Sequence, residues 1–203
     1  MLNSMSLSTN PMKSLSEIYQ TYKLPAHGIS DKGTSHSYIE VYDRLFAPFQ
    51  KRQPIRMLEI GLCRGGSLRM WRDYFDKSEI HGIDINLAPD GFPDLQGLVS
   101  ERLSRMTISI VDARNPVDVF NHLGDARFDI IVEDASHKLS DSVAIYAHFI
   151  HRLNDGGLYI IEDVEDIDAA RPVLDNIFKP RKYEVLDLRK KKNRFDDVLI
   201  VVR

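Results

Sequence analysis

The chain has one cysteine among its 203 residues, so no internal disulfide can form, and a reducing compartment, the cytoplasm, is expected. No apolar run approaches the ~20 residues needed to cross a bilayer, which excludes a membrane-spanning helix. Residues 1–13 are polar and rich in Ser and Asn, without the basic and apolar regions of a secretory signal, and read as a disordered tail. Positive charge is not in excess either: 27 Lys and Arg against 30 Asp and Glu leave a net −3, which gives no general footprint for nucleic acid. The local run Arg189-Lys190-Lys191-Lys192-Asn193-Arg194 is basic, but it lies between strand-like segments at 183–188 and 198–202 and reads as a solvated hairpin tip. Internal repeats and low-complexity blocks are missing. With 43% hydrophobic residues the chain is long enough for one sizeable core, and a single domain over 1–203 is expected.

From Arg56 onward, strand patterns at 56–60, 80–83, 107–111, 129–133 and 158–161 alternate with helical patterns near 67–75, 95–105, 116–123, 141–153 and 166–178. This alternation predicts an α/β fold, a doubly wound and mostly parallel sheet covered on both faces. The segments at 183–188 and 198–202 add an antiparallel hairpin at the C-terminal edge, making seven strands over a 56–203 core. Asn115-Pro116 marks a helix start and Gly156-Gly157 a helix end. Ahead of the core, Ser14-Leu15-Ser16-Glu17 has the spacing of a capping box, and residues 14–50 read as a helical segment able to fold over the site as a lid.

One glycine that is missing is informative. Met57-Leu58-Glu59-Ile60-Gly61-Leu62-Cys63-Arg64-Gly65-Gly66-Ser67 runs from a strand through a glycine turn into a helix, the form that lets a backbone approach a nucleotide-like ligand. A dinucleotide site needs glycine at position 63, where the backbone closes on a pyrophosphate, and Cys63 stands there instead, reading as a small buried residue. S-adenosylmethionine has no pyrophosphate, and its ammonium and carboxylate suit an acid at Glu59 and the amides of the turn. Asp84 ends the next strand, where such folds grip ribose hydroxyls, and Asp112 ends the third, beside the adenine. The expected cofactor-binding set is Glu59, Gly61, Gly65, Ser67, Asp84, Asp112 and Asp134. An NAD-dependent oxidoreductase is the alternative that Cys63 disfavours, and a non-catalytic protein that binds an adenosyl cofactor is the other.

The later strand ends are acidic as well. Asp134 follows the fourth strand and Glu162-Asp163 the fifth, and neighbouring strands about 4.8 Å apart bring these carboxylates into one small volume. Three carboxylates that close repel unless one is protonated or a cation neutralises them. Oxygen donors of this kind suit Mg²⁺, with Mn²⁺ the near alternative, and His137 is placed to take a proton from a substrate hydroxyl. Asp134, Glu162 and Asp163 are therefore the candidate metal ligands and His137 the candidate catalytic base.

Four motifs also resemble a known family: Asp31-Lys32-Gly33-x-x-His36-x-Tyr38-x-x-x-Tyr42; Leu58-Glu59-Ile60-Gly61 leading to Gly65-Gly66-Ser67-Leu68-Arg69-Met70-Trp71; Asp129-Ile130-Ile131-Val132-Glu133-Asp134-Ala135-Ser136-His137; and Gly156-Gly157-Leu158-Tyr159-Ile160-Ile161-Glu162-Asp163. Together they look like the macrolide sugar O-methyltransferases of the mycinamicin and demethylmacrocin type, over about residues 31–163. The resemblance implies a Rossmann-like class I methyltransferase domain, S-adenosyl-L-methionine with Mg²⁺, and a hydroxyl of a sugar or glycosylated small molecule as substrate. It also implies Asp134, Glu162 and Asp163 as ligands and His137 as base. Neither nucleic acid nor membrane is an expected partner, and a homo-oligomer is compatible with it. Ala135 stands where that family usually has glycine, and the acidic stretch Val164-Glu165-Asp166-Ile167-Asp168 stands where it often has aromatic residues.

Overall fold

Seven runs rich in Val, Ile, Leu and Met form the strands of one sheet: β1 (Arg56–Ile60), β2 (Glu79–Asp84), β3 (Met106–Ile110), β4 (Phe128–Glu133), β5 (Leu153–Ile161), β6 (Tyr183–Asp187) and β7 (Val198–Val202). Their order is β3-β2-β1-β4-β5-β7-β6 in a computed structural model that describes residues 12–22, 30–86 and 104–203. The first five strands are parallel, and β7 enters antiparallel between β5 and β6. Chain order reverses at β1, which pairs with β2 on one side and β4 on the other. In such sheets the crevice outside the strand ends at this point is where ligands bind.

Side chains alternate across the sheet with period two, and each face buries its own cluster. Met57, Ile130, Val132 and Ile160 pack under α1 (Leu15–Tyr22), α2 (Ile39–Lys51) and α3 (Gly66–Tyr74), with Trp71 fully buried among Tyr42 and Phe46. Leu58, Ile60, Ile131 and Ile161 pack under α4 (Pro116–Leu123), α5 (Leu139–Phe149) and α6 (Ile167–Phe178). The segment expected to be a lid thus contributes α1 and α2 to the first core.

Local signals held where their chemistry is complete. Ser14 and Glu17 exchange hydrogen bonds at the start of α1, and the Asn115 side chain accepts from Val117 and Asp118 ahead of Pro116. Gly156-Gly157 does not end a helix: α5 stops at Phe149, a 3₁₀ turn covers Ile150–Arg152, and β5 begins at Leu153. Gly156, at φ +71°, sits where the ladder to β4 shifts register between Phe128 and Ile130, the work of a bulge. The helix expected over 95–105 lies almost wholly outside the described residues. The basic run forms a short helix, α7 (Arg189–Lys192), and is not merely solvated, because Lys192 Nζ donates to the carbonyls of Gly33, Thr34 and His36. No helix among the described residues is long and apolar enough to cross a membrane.

Candidate active site

The turn after β1 is held by its own amides: Gly61 N–H donates to the Ile83 carbonyl at 2.9 Å, Leu62 N–H to the side-chain Oδ2 of Asp84 at 2.7 Å, and Gly65 N–H to the Leu62 carbonyl at 2.7 Å. Gly61 has φ +86°, and a Cβ there would lie 2.0 Å from the Asp134 carbonyl oxygen. Its glycine is therefore demanded by the passing backbone of the loop after β4. Gly61→Ala should lower the urea unfolding midpoint, since the left-handed backbone alone disfavours a Cβ by roughly 1–2 kcal/mol and the close approach adds to that. An unchanged midpoint would mean that the two loops are not in contact. Gly65, at φ +75°, caps α3. Cys63, read as buried, is exposed and itself left-handed at φ +47°.

A cavity of about 260 Å³ opens at this end of the sheet, walled by Ile60, Ile83, Val111 and Ile145, with Asp84 and Asp112 on its lining. Apolar walls with a few placed polar groups are the ordinary form of a small-molecule site. Asp84 already accepts from Leu62 and Asn86, one bond on each oxygen, so further donors would use its remaining lone pairs. Asp112 is engaged by Arg114, with Nε at 3.0 Å and Nη2 at 3.2 Å. Gly61 lines the cavity, whereas Glu59 and Ser67 do not: the Ser67 hydroxyl donates to Glu59 Oε2 at 2.8 Å beneath it. The expected cofactor set is thus divided between a cavity wall and a buried layer below.

The loop after β4 links that cavity to the acidic cluster, since Ala135 and Ser136 line the cavity and Asp134 and His137 flank them. Period-two alternation sorts the acids. Glu59, Asp134 and Glu162 stand two residues beyond Met57, Val132 and Ile160, so all three face α1–α3, while Glu133 follows Ile131 to the other face. Asp134 and Glu162 converge as their neighbouring strands require, and a buried lysine meets them. Lys32 Nζ, 2% exposed, lies 2.7 Å from Asp134 Oδ2, 2.8 Å from Glu162 Oε2 and 3.6 Å from Glu59 Oε1. Glu162 also accepts from the Tyr42 hydroxyl, and Asp163 accepts from the Tyr38 hydroxyl at 2.6 Å. On the outer side His137 Nε2 lies 3.2 Å from Asp134 Oδ1 and 3.7 Å from Asp163 Oδ2.

Electrostatics follow from this packing. Burial alone would lower the Lys32 pKa, but Asp134, Glu162 and Glu59 together hold it well above the ordinary lysine value, so it stays charged. Burial also opposes ionisation of Asp134, yet Lys32 and His137 hold its pKa below the usual carboxylate value. For Glu59 and Asp163 burial wins, and each is pushed up to about 7. His137 is pushed up to about 9, first by its hydrogen bond to Asp134. Both His137 and Asp163 have left-handed backbones, at φ +60° and +55°. Strain of this kind persists where surrounding structure over-determines a residue, and it gathers at functional sites.

Sequence reasoning missed Lys32 as a member of the cluster, although the repulsion among carboxylates called for a cation. The Lys32 motif was visible, but its loop gives no periodic signal for which strand ends it reaches. His36, fully buried on the same loop, places Nδ1 3.2 Å from Asp163 Oδ1.

The seven-stranded sheet and its strand order are those of the Rossmann-like, class I methyltransferase fold. No family model matches the chain. Its sequence is related to the sugar O-methyltransferases of macrolide and tetracenomycin pathways. It is 32% identical over 148 residues to the 8-demethyl-8-alpha-L-rhamnosyl tetracenomycin-C 2'-O-methyltransferase of Streptomyces olivaceus, covering 68% of this chain and 36% of that protein. It is 31% identical over 168 residues to demethylmacrocin O-methyltransferase of Streptomyces fradiae, covering 77% of this chain and 38% of that protein. Among solved structures, the MycE methyltransferase of the mycinamycin pathway, in complex with Mg, SAH and mycinamycin VI, superposes with a TM-score of 0.69 over 95% of this chain and 55% of that one, at 21% identity. At that identity the likeness is one of fold. The chain spans little more than a third of the length of these curated relatives.

Proposed function

We propose that this chain transfers a methyl group from S-adenosylmethionine to a hydroxyl of a sugar or glycosylated small molecule, with a divalent cation assisting, in the cytoplasm. The observation that carries the reading is the convergence of Asp134, His137 and Asp163, whose ligand atoms lie within 4.8 Å of one another beside the cavity. The two carboxylates suit Mg²⁺ or Mn²⁺, and the imidazole beside them is left to take a proton. Asp134 and Asp163 would hold the ion, and Glu162 could join them only by giving up an oxygen now bonded to Lys32 or Tyr42. A bound divalent ion supplies a lowered pKa for a substrate hydroxyl.

The chain's own residues do the rest. Asp84 accepts hydrogen bonds from ribose hydroxyls, and Ile60, Ile83, Val111 and Ile145 exclude water from the base. His137 Nε2, in its neutral form, takes the hydroxyl proton as the substrate oxygen bonds to the methyl carbon and the carbon–sulfur pair returns to sulfur. The imidazole reaches that form at neutral pH only where the Asp134 charge that raises its pKa to about 9 is offset. Because a sulfonium charge is lost in this step, proximity and in-line orientation account for much of the rate.

Calorimetric titration should detect binding of S-adenosylhomocysteine and none of NAD. Asp84→Ala should weaken that binding by about 1–3 kcal/mol, the range for removing an acceptor that serves two hydroxyls. Affinity for NAD with none for the adenosyl compound would overturn the reading, and full affinity in the variant would place Asp84 outside the ribose site.

A further inference from the structure

Glu162 and Asp163 are consecutive, and consecutive residues leaving a strand point to opposite faces of its sheet. Glu162 follows Ile160 to the α1–α3 side, so Asp163 would follow Ile161 to the other. Two acids that serve one ion must be brought back together. We propose that Tyr38 and Tyr42 are positioning residues that hold this pair on one side of the sheet and fix which carboxylate oxygens a divalent ion can reach. This rests on the ion of the proposed function being held at the strand-end carboxylates.

The backbone turns left-handed at Asp163, φ +55°, just after β5, and its side chain comes back to the start of α2, where the Tyr38 hydroxyl donates to Oδ1 at 2.6 Å. A left-handed conformation is unfavourable for a residue with a Cβ, so this bond secures a backbone that does not secure itself. The hydroxyl has one proton to give, and the other acceptors in reach, the carbonyls of Asp196 and Val198, stand farther off at 3.2 and 3.5 Å. One helical turn on, Tyr42 donates to Oε1 of Glu162, and the two rings meet edge to face with centroids 6.3 Å apart. The His36 ring stacks on Tyr38 at 4.8 Å, and all three rings are fully buried. Burial, and then the facing carboxylates, raises both phenol pKa values, so the hydroxyls keep their protons and remain donors. With Oδ1 taken, Asp163 has Oδ2 left, and that oxygen lies 3.7 Å from Nε2 of His137, the candidate base. With Oε1 taken, the oxygen that Glu162 would give to an ion is Oε2, now bonded to Lys32 at 2.8 Å.

The test is a titration of the metal-free full chain with Mn²⁺, bound ion being read from loss of the free-ion paramagnetic resonance signal. Tyr38→Phe and Tyr42→Phe keep the rings and remove only the hydroxyls, and each should weaken Mn²⁺ binding by roughly 10–100-fold, the range for losing an outer partner of a metal ligand. Affinity for S-adenosylhomocysteine should not change. Tyr74→Phe is the control for a merely structural bond, since its hydroxyl lies 3.2 Å from Asp43 Oδ1 at the far end of α3, and it should bind Mn²⁺ as the wild type does. Should one of the two variants fail to fold, the other carries the test alone. Wild-type affinity in a folded variant, or an equal loss in Tyr74→Phe, overturns the proposal and leaves the metal site standing. A wild type that binds no Mn²⁺ overturns both.

Discussion

Lys32→Met should lower the free energy of unfolding by about 3–5 kcal/mol, the range for removing one partner of a buried ion pair. The size of the effect comes from what is left behind and not from the worth of the pair itself. Glu59 and Glu162 are buried and Asp134 is half-buried, and without the ammonium they must either hold charge with no cation to offset repulsion and desolvation or take up protons, as burial already inclines Glu59 and Glu162 to do. Urea unfolding in the presence of a chelator measures it without a metal taking the lysine's place. Lys191→Met is the matched control. Its ammonium lies 3.3 Å from Glu40, but both side chains are exposed, at 47% and 81%, and such pairs contribute little in water. The control should leave the unfolding midpoint in place. Equal effects from the two substitutions would show that Lys32 does not reside among the carboxylates.

That contrast marks what could be read from sequence. The boundaries of β1, α4 and β7 follow from strong local chemistry: an apolar run stopped by Gly61, an Asn115 cap with Pro116 behind it, and five consecutive β-branched or leucine residues from Val198. The meeting of Asp134 with Glu162 and Asp163 was legible too, because residues that end adjacent parallel strands must be neighbours. Gly156-Gly157 misled because a left-handed glycine serves a helix end and a bulge equally well. The side of the sheet on which each acid falls was available from alternation, and it separates Glu133 from Asp134 despite their adjacency in the chain. Lys32 was out of reach of any periodic pattern. It lies 130 positions from Glu162 and is delivered by a loop held in place by Lys192, Tyr38 and the Asp31–Gly33 turn, a tertiary arrangement with no local signature.

His137→Asn should lower turnover of a glycosylated acceptor by roughly 10²–10⁴-fold while leaving affinity for S-adenosylhomocysteine unchanged, the span expected for loss of a general base. Asparagine is the right replacement because position 137 has φ +60°, a conformation that Asn tolerates better than Ala, so the loop after β4 keeps its course. The amide retains a polar contact with Asp134 but cannot take a proton at neutral pH. His137 lies beside the cavity without lining it, and its contacts are Asp134 Oδ1 and Asp163 Oδ2, which is why cofactor affinity should be insensitive to the change. Release of S-adenosylhomocysteine in a coupled assay, with rhamnosylated and deoxysugar-bearing acceptors, gives the rate. Calorimetry on the same preparations gives the affinity. Turnover within a few-fold of wild type would remove His137 from the proton path, and a parallel loss of cofactor affinity would make it a structural support of the cavity rather than the base.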